Sequence, residues 1–97
     1  MDRVFEHGGT RFRWDESKAA ENQRRHGVSF EEAATGFDDP LFVLQDASRN
    51  EERRDAVIGF SSASRLLTVV HIEVEGEFIR IISAWRASAA EEAFYDQ

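Results

Sequence analysis

The stretch FIRIISAWR, Phe78 to Arg86, has the apolar and β-branched character of a buried strand, yet Arg80 stands in its middle. A guanidinium is permanently charged and its planar fork grips a phosphate or a carboxylate at two points. Alternation along a strand puts Phe78, Arg80, Ile82 and Ala84 on one face and Ile79, Ile81, Ser83 and Trp85 on the other. The run before it, Leu66 to Val74, returns across the turn EGE. With Glu75 and Gly76 at the tip of an even loop, His71 stands directly opposite Arg80. An odd loop sends His71 to the other face. A histidine that moves a proton beside a fixed positive charge suits phosphoryl chemistry. The same residues also allow a plainer arrangement, in which Arg80 pairs with a carboxylate such as Glu73 or Asp55 and His71 is an ordinary strand residue.

The elements that must hold these groups are legible from periodicity and caps. A short strand spans Phe12 to Trp14, and Asp15 is an N-cap type that opens a helix running to about His26. Arg24, Arg25 and His26 put positive charge at the negative end of that helix, and Gly27 supplies the left-handed residue that stops it. Ser29 with Glu32 reads as a capping box for a second helix, whose apolar face is Phe30, Ala33, Ala34 and Phe37. Pro40 ends it. Extended segments follow at Leu41–Gln45, Ala56–Phe60, Leu66–Val74 and Phe78–Trp85, and a last helix, Ser88–Tyr95, carries Ser88 as its cap. The expected order is β, α, α, four β, α: an α+β domain with an antiparallel meander of about four strands, two N-terminal helices and one C-terminal helix.

Composition narrows the function. At 97 residues the chain is read as one domain, 1–97. With no cysteine and only His7, His26 and His71 as scattered imidazoles, neither a disulfide, a metal centre nor a cofactor is expected. MDRVFEHGG lacks the apolar core of a signal peptide and no segment is long enough to span a bilayer, so a cytoplasmic location with no membrane association is expected. A net charge of −7 argues against holding nucleic acid by bulk electrostatics. Eleven of the twelve basic residues are nevertheless arginine, Lys18 being the one lysine, a bias that either a GC-rich genome or a need to grip phosphate produces.

From residue 12 onward the chain resembles the BrnT family of type II toxin–antitoxin ribonuclease toxins. The resemblance is carried by FRWDESKAAENQRRHGVSFEEAATGFDDP, EERRDAVIGFS, RLLTVVH and RIISAWRASAAEEAFY, in that order. It implies a RelE-like fold, RNA cleavage that inhibits translation and growth, and neutralisation by a BrnA-type antitoxin. That antitoxin is expected to carry a ribbon-helix-helix domain, so that operator DNA is reached only through the antitoxin. Trp14, Asp15, Asn22 and His26 match the family motif but are read as structural.

Metal-independent RNA cleavage needs a base to deprotonate a ribose 2′-OH, an acid for the departing 5′ oxygen, and donors fixed around the phosphorus. On that basis Arg80 and Arg53 are assigned to phosphate, His71 to acid or base work and Lys18 to electrostatic support; Arg53 matches the family's E-E-R position but also reads as a solvated loop charge beside Arg49 and Arg54, and Lys18 as an exposed first-turn lysine. Trp85 stands where relatives commonly carry a basic residue. Trp85 and Arg86 are assigned to substrate binding, Trp85 as a base-stacking group with core packing as its plainer reading, and Arg86 cannot replace the missing basic residue without a bulge. A last helix of Ala89, Ala90, Glu91 and Glu92 in place of a basic one lessens attraction to RNA. Two other functions fit the same resemblance: a catalytically weak partner-binding subunit of an autorepressing complex, and a ParE-like inhibitor of DNA gyrase.

Overall fold

In the computed structural model, which describes all 97 residues, six strands form one mixed sheet in the order β1-β2-β6-β5-β4-β3. The strands are β1 (Asp2–His7), β2 (Thr10–Asp15), β3 (Val43–Asp46), β4 (Asp55–Phe60), β5 (Leu66–Val74) and β6 (Phe78–Arg86). The helices are α1 (Glu16–His26), α2 (Phe30–Thr35), continued by a 3-10 turn at Gly36–Asp38, and α3 (Ala89–Tyr95). The four-strand meander of the sequence reading is present as β3 to β6, but it is not the whole sheet. Strand β1 was not anticipated. Residues His7 and Thr10 face each other across Gly8 and Gly9, both at positive φ (59° and 80°), which is the two-residue hairpin geometry that glycine favours. The hairpin joins the sheet when β2 pairs in parallel with β6 at Phe12–Ile79 and Arg13–Arg80, so the sheet is mixed and not purely antiparallel.

Both helices after β2 begin and end where their side chains dictate. Asp15 accepts a hydrogen bond from the Lys18 amide (3.0 Å), and Gly27, at φ 68°, closes α1 with a bond from its amide to the Gln23 carbonyl. Ser29 accepts from the Glu32 amide (3.1 Å), but the reciprocal half of the expected capping box is missing. The Glu32 carboxylate instead receives Arg65 Nε (2.9 Å) and the Ser61 hydroxyl (2.7 Å), tying α2 to the β4–β5 turn. The complete capping box is at α3, where Ser88 and Glu91 each bond the other's backbone.

The main core lies between one sheet face and α1–α2. It contains Phe12, Trp14, Val28, Phe30, Ala33, Ala34, Leu67, Val69, Ile81 and Ala84. Trp14 meets Phe30 edge-on at 5.8 Å, a favourable aromatic geometry. On the reverse face Ile58 and Thr68 are also buried, and α3 packs against β4. Gly59 is required by close approach, because a Cβ there would sit 2.6 Å from the Gly36 carbonyl oxygen.

Candidate active site

The turn between β5 and β6 decides which side chains meet. Val74 pairs with Phe78 and the loop is the odd one, Glu75, Gly76 and Glu77, with Gly76 at φ 78°. Arg80 therefore faces Ile72, and His71 faces Ile81. The expectation that His71 stands opposite Arg80 is corrected: the two side chains occupy opposite faces of the sheet. His71 is 3% exposed, packs edge-on against Phe37 at 4.9 Å and bonds the Val69 carbonyl through Nδ1 (3.1 Å). Burial pushes its pKa down, so it is held neutral inside the core.

A second irregularity lies farther along β6. Val70 pairs with Ser83 and His71 with Ile81, so Ile82 is an extra residue that opposes nothing. Beyond this bulge the facing reverses. Ala84, expected on the face of Arg80, enters the main core, while Ser83 and Trp85 turn to the face that carries Arg80. On β5 their partners Val70 and Thr68 alternate without interruption with Ile72, the partner of Arg80. Phe78, Arg80, Ser83 and Trp85 thus share one face, an outcome that strict alternation forbids.

On that face Arg80 donates from Nη1 and Nη2 to the two carboxylate oxygens of Asp2 (3.0 and 3.1 Å). The alternative that Arg80 pairs with a carboxylate is thus the observed one, but the carboxylate comes from β1 and not from Glu73 or Asp55. Arg13, the register partner of Arg80, brings its Nε to 3.9 Å of the same carboxylate, and its guanidinium lies 5.0 Å over the Phe78 ring. The hydrogen bonds from Arg80, foremost, hold the Asp2 carboxyl below its usual range, and Asp2 in turn raises Arg80. Two guanidiniums thus flank one carboxylate, and the anion they hold in this structure is Asp2.

Lys18 is tied by its backbone amide to Asp15, on the neighbouring strand β2. The Lys18 amide is the main cause of the lowered Asp15 pKa, the Lys18 charge adds to it, and Asp15 also attracts Arg80. Lys18 lies at one end of an open cleft of about 370 Å³ between α1 and β6. Glu21, Arg25, His26, Ile82 and Ser83 also line the cleft. Positions 18, 21, 22, 25 and 26 fall on one helical face, which explains their convergence. Its floor is Asn22, whose amide accepts from the Ala84 N–H (3.1 Å) and donates to the Ala84 (2.9 Å) and Val28 (3.1 Å) carbonyls. Asn22 thus satisfies the β6 edge where β2 no longer pairs with it. At the far end the His26 and Trp85 rings lie 6.1 Å apart, and Trp85 Nε1 donates to Glu91 (3.1 Å).

The remaining sequence candidates are elsewhere. Arg53 precedes β4, two strands across the sheet from β6, in a recess that also holds Asp55, Glu73 and Glu75, and its Nε is 3.8 Å from Asp55. Arg86 ends β6 on the opposite face from Trp85, in a recess with Arg65, Glu92 and Asp96. The site residues that sequence reasoning missed are Arg13 and Asp2. The alternation Phe12-Arg13-Trp14 already places Arg13 on the outer face, whereas nothing local announces Asp2. No three His, Asp or Glu side chains converge as a metal-ligand set, and no helix is long and apolar enough to cross a membrane.

The chain is thus a small α+β domain with two arginines around a carboxylate on one sheet face and Lys18, Arg25 and His26 in a neighbouring cleft. Residues 14–91 match the family described as the ribonuclease toxin, BrnT, of type II toxin–antitoxin systems, and the chain belongs to that family. It is accordingly a ribonuclease toxin whose partner is a protein antitoxin. Comparison with curated proteins returns no match.

Proposed function

We propose that this toxin is an endoribonuclease that needs no metal, using the ribose 2′-OH beside the scissile phosphate as its nucleophile. The observation that carries the reading is the Arg80–Asp2–Arg13 arrangement, a two-pronged guanidinium site already occupied by a carboxylate. When RNA displaces Asp2, Arg80 and Arg13 match the charge that builds on the equatorial oxygens, with Lys18 in support. The 2′-OH gives its proton to water, the O2′–P bond forms, and the P–O5′ bond breaks with the 5′ oxygen taking a proton from water, leaving a 2′,3′-cyclic phosphate and a 5′-OH. His71 takes no direct part in this scheme, since its imidazole is enclosed, and Arg53 lies among carboxylates that repel phosphate. The scaffold is the RelE-like arrangement that the family resemblance implies, enlarged by the β1–β2 hairpin.

The partner in this reading is a BrnA-type antitoxin with a ribbon-helix-helix domain, through which the complex reaches operator DNA in the cytoplasm. Edge strand β3 and its surroundings expose Leu41, Phe42, Leu44 and Phe60, apolar area of the kind a protein partner covers.

The test is cleavage of a defined RNA in excess EDTA by wild type and Arg80→Ala. Cleavage by wild type with cyclic phosphate ends, reduced about 10²- to 10³-fold in the variant, supports the reading. No cleavage by either transfers weight to a partner-binding subunit, and equal cleavage places the site away from Arg80.

A further inference from the structure

The α1–β6 cleft runs from Lys18 to His26, whose exposed ring lies beside the half-exposed Trp85 ring, and nothing in the cleavage scheme uses that end. Lys18 and His26 are eight residues apart, about 12 Å along the helix at 1.5 Å per residue. A stacked strand advances roughly 3.4 Å per nucleotide, so it crosses that length in about three nucleotides. The cationic groups of the cleft are Lys18 at one end and Arg25 near the other, with Ser83 on β6 also lining it; Arg80 lies outside the lining, on the same β6 face as Ser83 and Trp85. Glu21 also lines the cleft, with Arg24 3.7 Å from its carboxylate.

Trp85 reaches this place only because the Ile82 bulge turns it to the face of Arg80. Its indole is fixed by the bond to Glu91, whose carboxylate also receives the Ser88 amide (2.8 Å). The His26 and Trp85 ring planes are tilted by 49°, so neither ring covers the face of the other. A rigid half-exposed indole beside an exposed imidazole, at the end of a short cationic groove, is the arrangement on which single-stranded bases stack.

We propose that His26 and Trp85 form a subsite for one unpaired base of the RNA, two to four nucleotides from the scissile phosphate, with Lys18 and Arg25 on the intervening phosphates. This rests on the ribonuclease reading for its substrate and adds the length and footprint of RNA that the toxin engages. The subsite binds and does not act on the reacting atoms. Loss of Trp85 is therefore expected to raise KM and leave kcat in place.

The experiment scans a single abasic position along a defined RNA and measures cleavage, with binding of the same series in 2′-O-methyl form followed by fluorescence anisotropy. One abasic position two to four nucleotides from the cut is expected to weaken binding and raise KM about tenfold. In Trp85→Ala that penalty disappears, because the base has nothing left to stack on, and His26→Ala reduces it. Quenching of indole emission by RNA that is lost in Trp85→Ala reports stacking on Trp85, since the other tryptophan, Trp14, is 1% exposed and out of reach of a base. An abasic scan with no such position, or a penalty that persists in Trp85→Ala, overturns the subsite. So does a Trp85→Ala chain that keeps its RNA affinity and loses the antitoxin, which would give the cleft to the protein partner. If wild type cuts nothing, the cleavage reading fails by itself, and the uncut 2′-O-methyl series still decides the subsite.

Discussion

Replacing Asn22 with alanine tests whether α1 is held to the sheet by one side chain. The variant loses three hydrogen bonds, to Ala84 N–H, Ala84 C=O and Val28 C=O. Each is worth about 1 kcal/mol net, and a buried group left unpaired costs about 1–3 kcal/mol. Asn22 is 7% exposed beneath an open cleft, so water entering the space restores part of the loss. The balance is about 3 kcal/mol, a large share of the roughly 5–15 kcal/mol that holds a small domain together. In a chain of this length that lowers Tm by about 12 to 24 °C. Urea unfolding of wild type and variant measures it, and an unchanged m-value is required for the comparison. A loss below about 0.5 kcal/mol would mean that the β6 edge finds other partners and that the cleft geometry does not depend on Asn22. Asn22→Asp sharpens the test, because its second oxygen must face two carbonyls where the amide donated. That variant is expected to be as unstable as the alanine at neutral pH and to recover in acid, when a protonated carboxyl can donate again.

Three further outcomes follow from the same contacts. The Arg65 bonds, foremost, hold the Glu32 carboxyl below the usual glutamate range, so its stabilising contribution is complete above the ordinary glutamate pKa and is lost as pH falls through the lower folded-state value. Glu32→Gln should be less stable than wild type at pH 7, with the gap closing on acid titration. Tyr95, the one tyrosine, donates to Asp39 (2.6 Å), and that bond pushes its pKa up to about 12. Ultraviolet difference titration should place its ionisation there, and Asp39→Ala should return it toward about 10. RNA affinity should fall with salt at a slope of about −2 in log units, the value for three phosphate contacts on a single strand, from Arg80, Lys18 and Arg25. A slope steeper than about −4 would indicate a broad basic surface in place of a few placed cations.

Local chemistry made most of the elements readable. Asp15, Gly27, Ser29 and Ser88 mark helix ends because capping needs only a residue and the turn beside it, and the structure places helix boundaries at each of them. The later strands were readable because alternation and turn residues are equally local. Strand β1 was missed although HGGT is a two-residue hairpin signal, since DRVFEH carries few apolar residues and alone looks like a polar terminus. Its place in the sheet is set by a parallel pairing between residues 12–13 and 79–80, a long-range relation with no local signature.

The site was less legible for the same reason. A strand's facing is a parity, and one residue gained or lost inverts it. The three-residue turn at Glu75–Glu77 moved His71 away from Arg80, and the bulge at Ile82 moved Trp85 toward it. Neither the EGE turn nor IIS spells out its own geometry, so alternation alone returned the wrong neighbours on both sides of Arg80. Asp2 is separated from Arg80 by 78 positions and meets it only because β1 and β2 sit at that edge of the sheet. This arrangement also reconciles a −7 chain with an RNA substrate. Charge that is wrong on average is locally positive where Arg13 and Arg80 flank one carboxylate, and in the proposed reading Asp2 competes with phosphate for the same fork. If the proposed site is correct, an acidic ribonuclease of this design is expected to engage RNA through a few oriented contacts, with an affinity set by how readily Asp2 gives way.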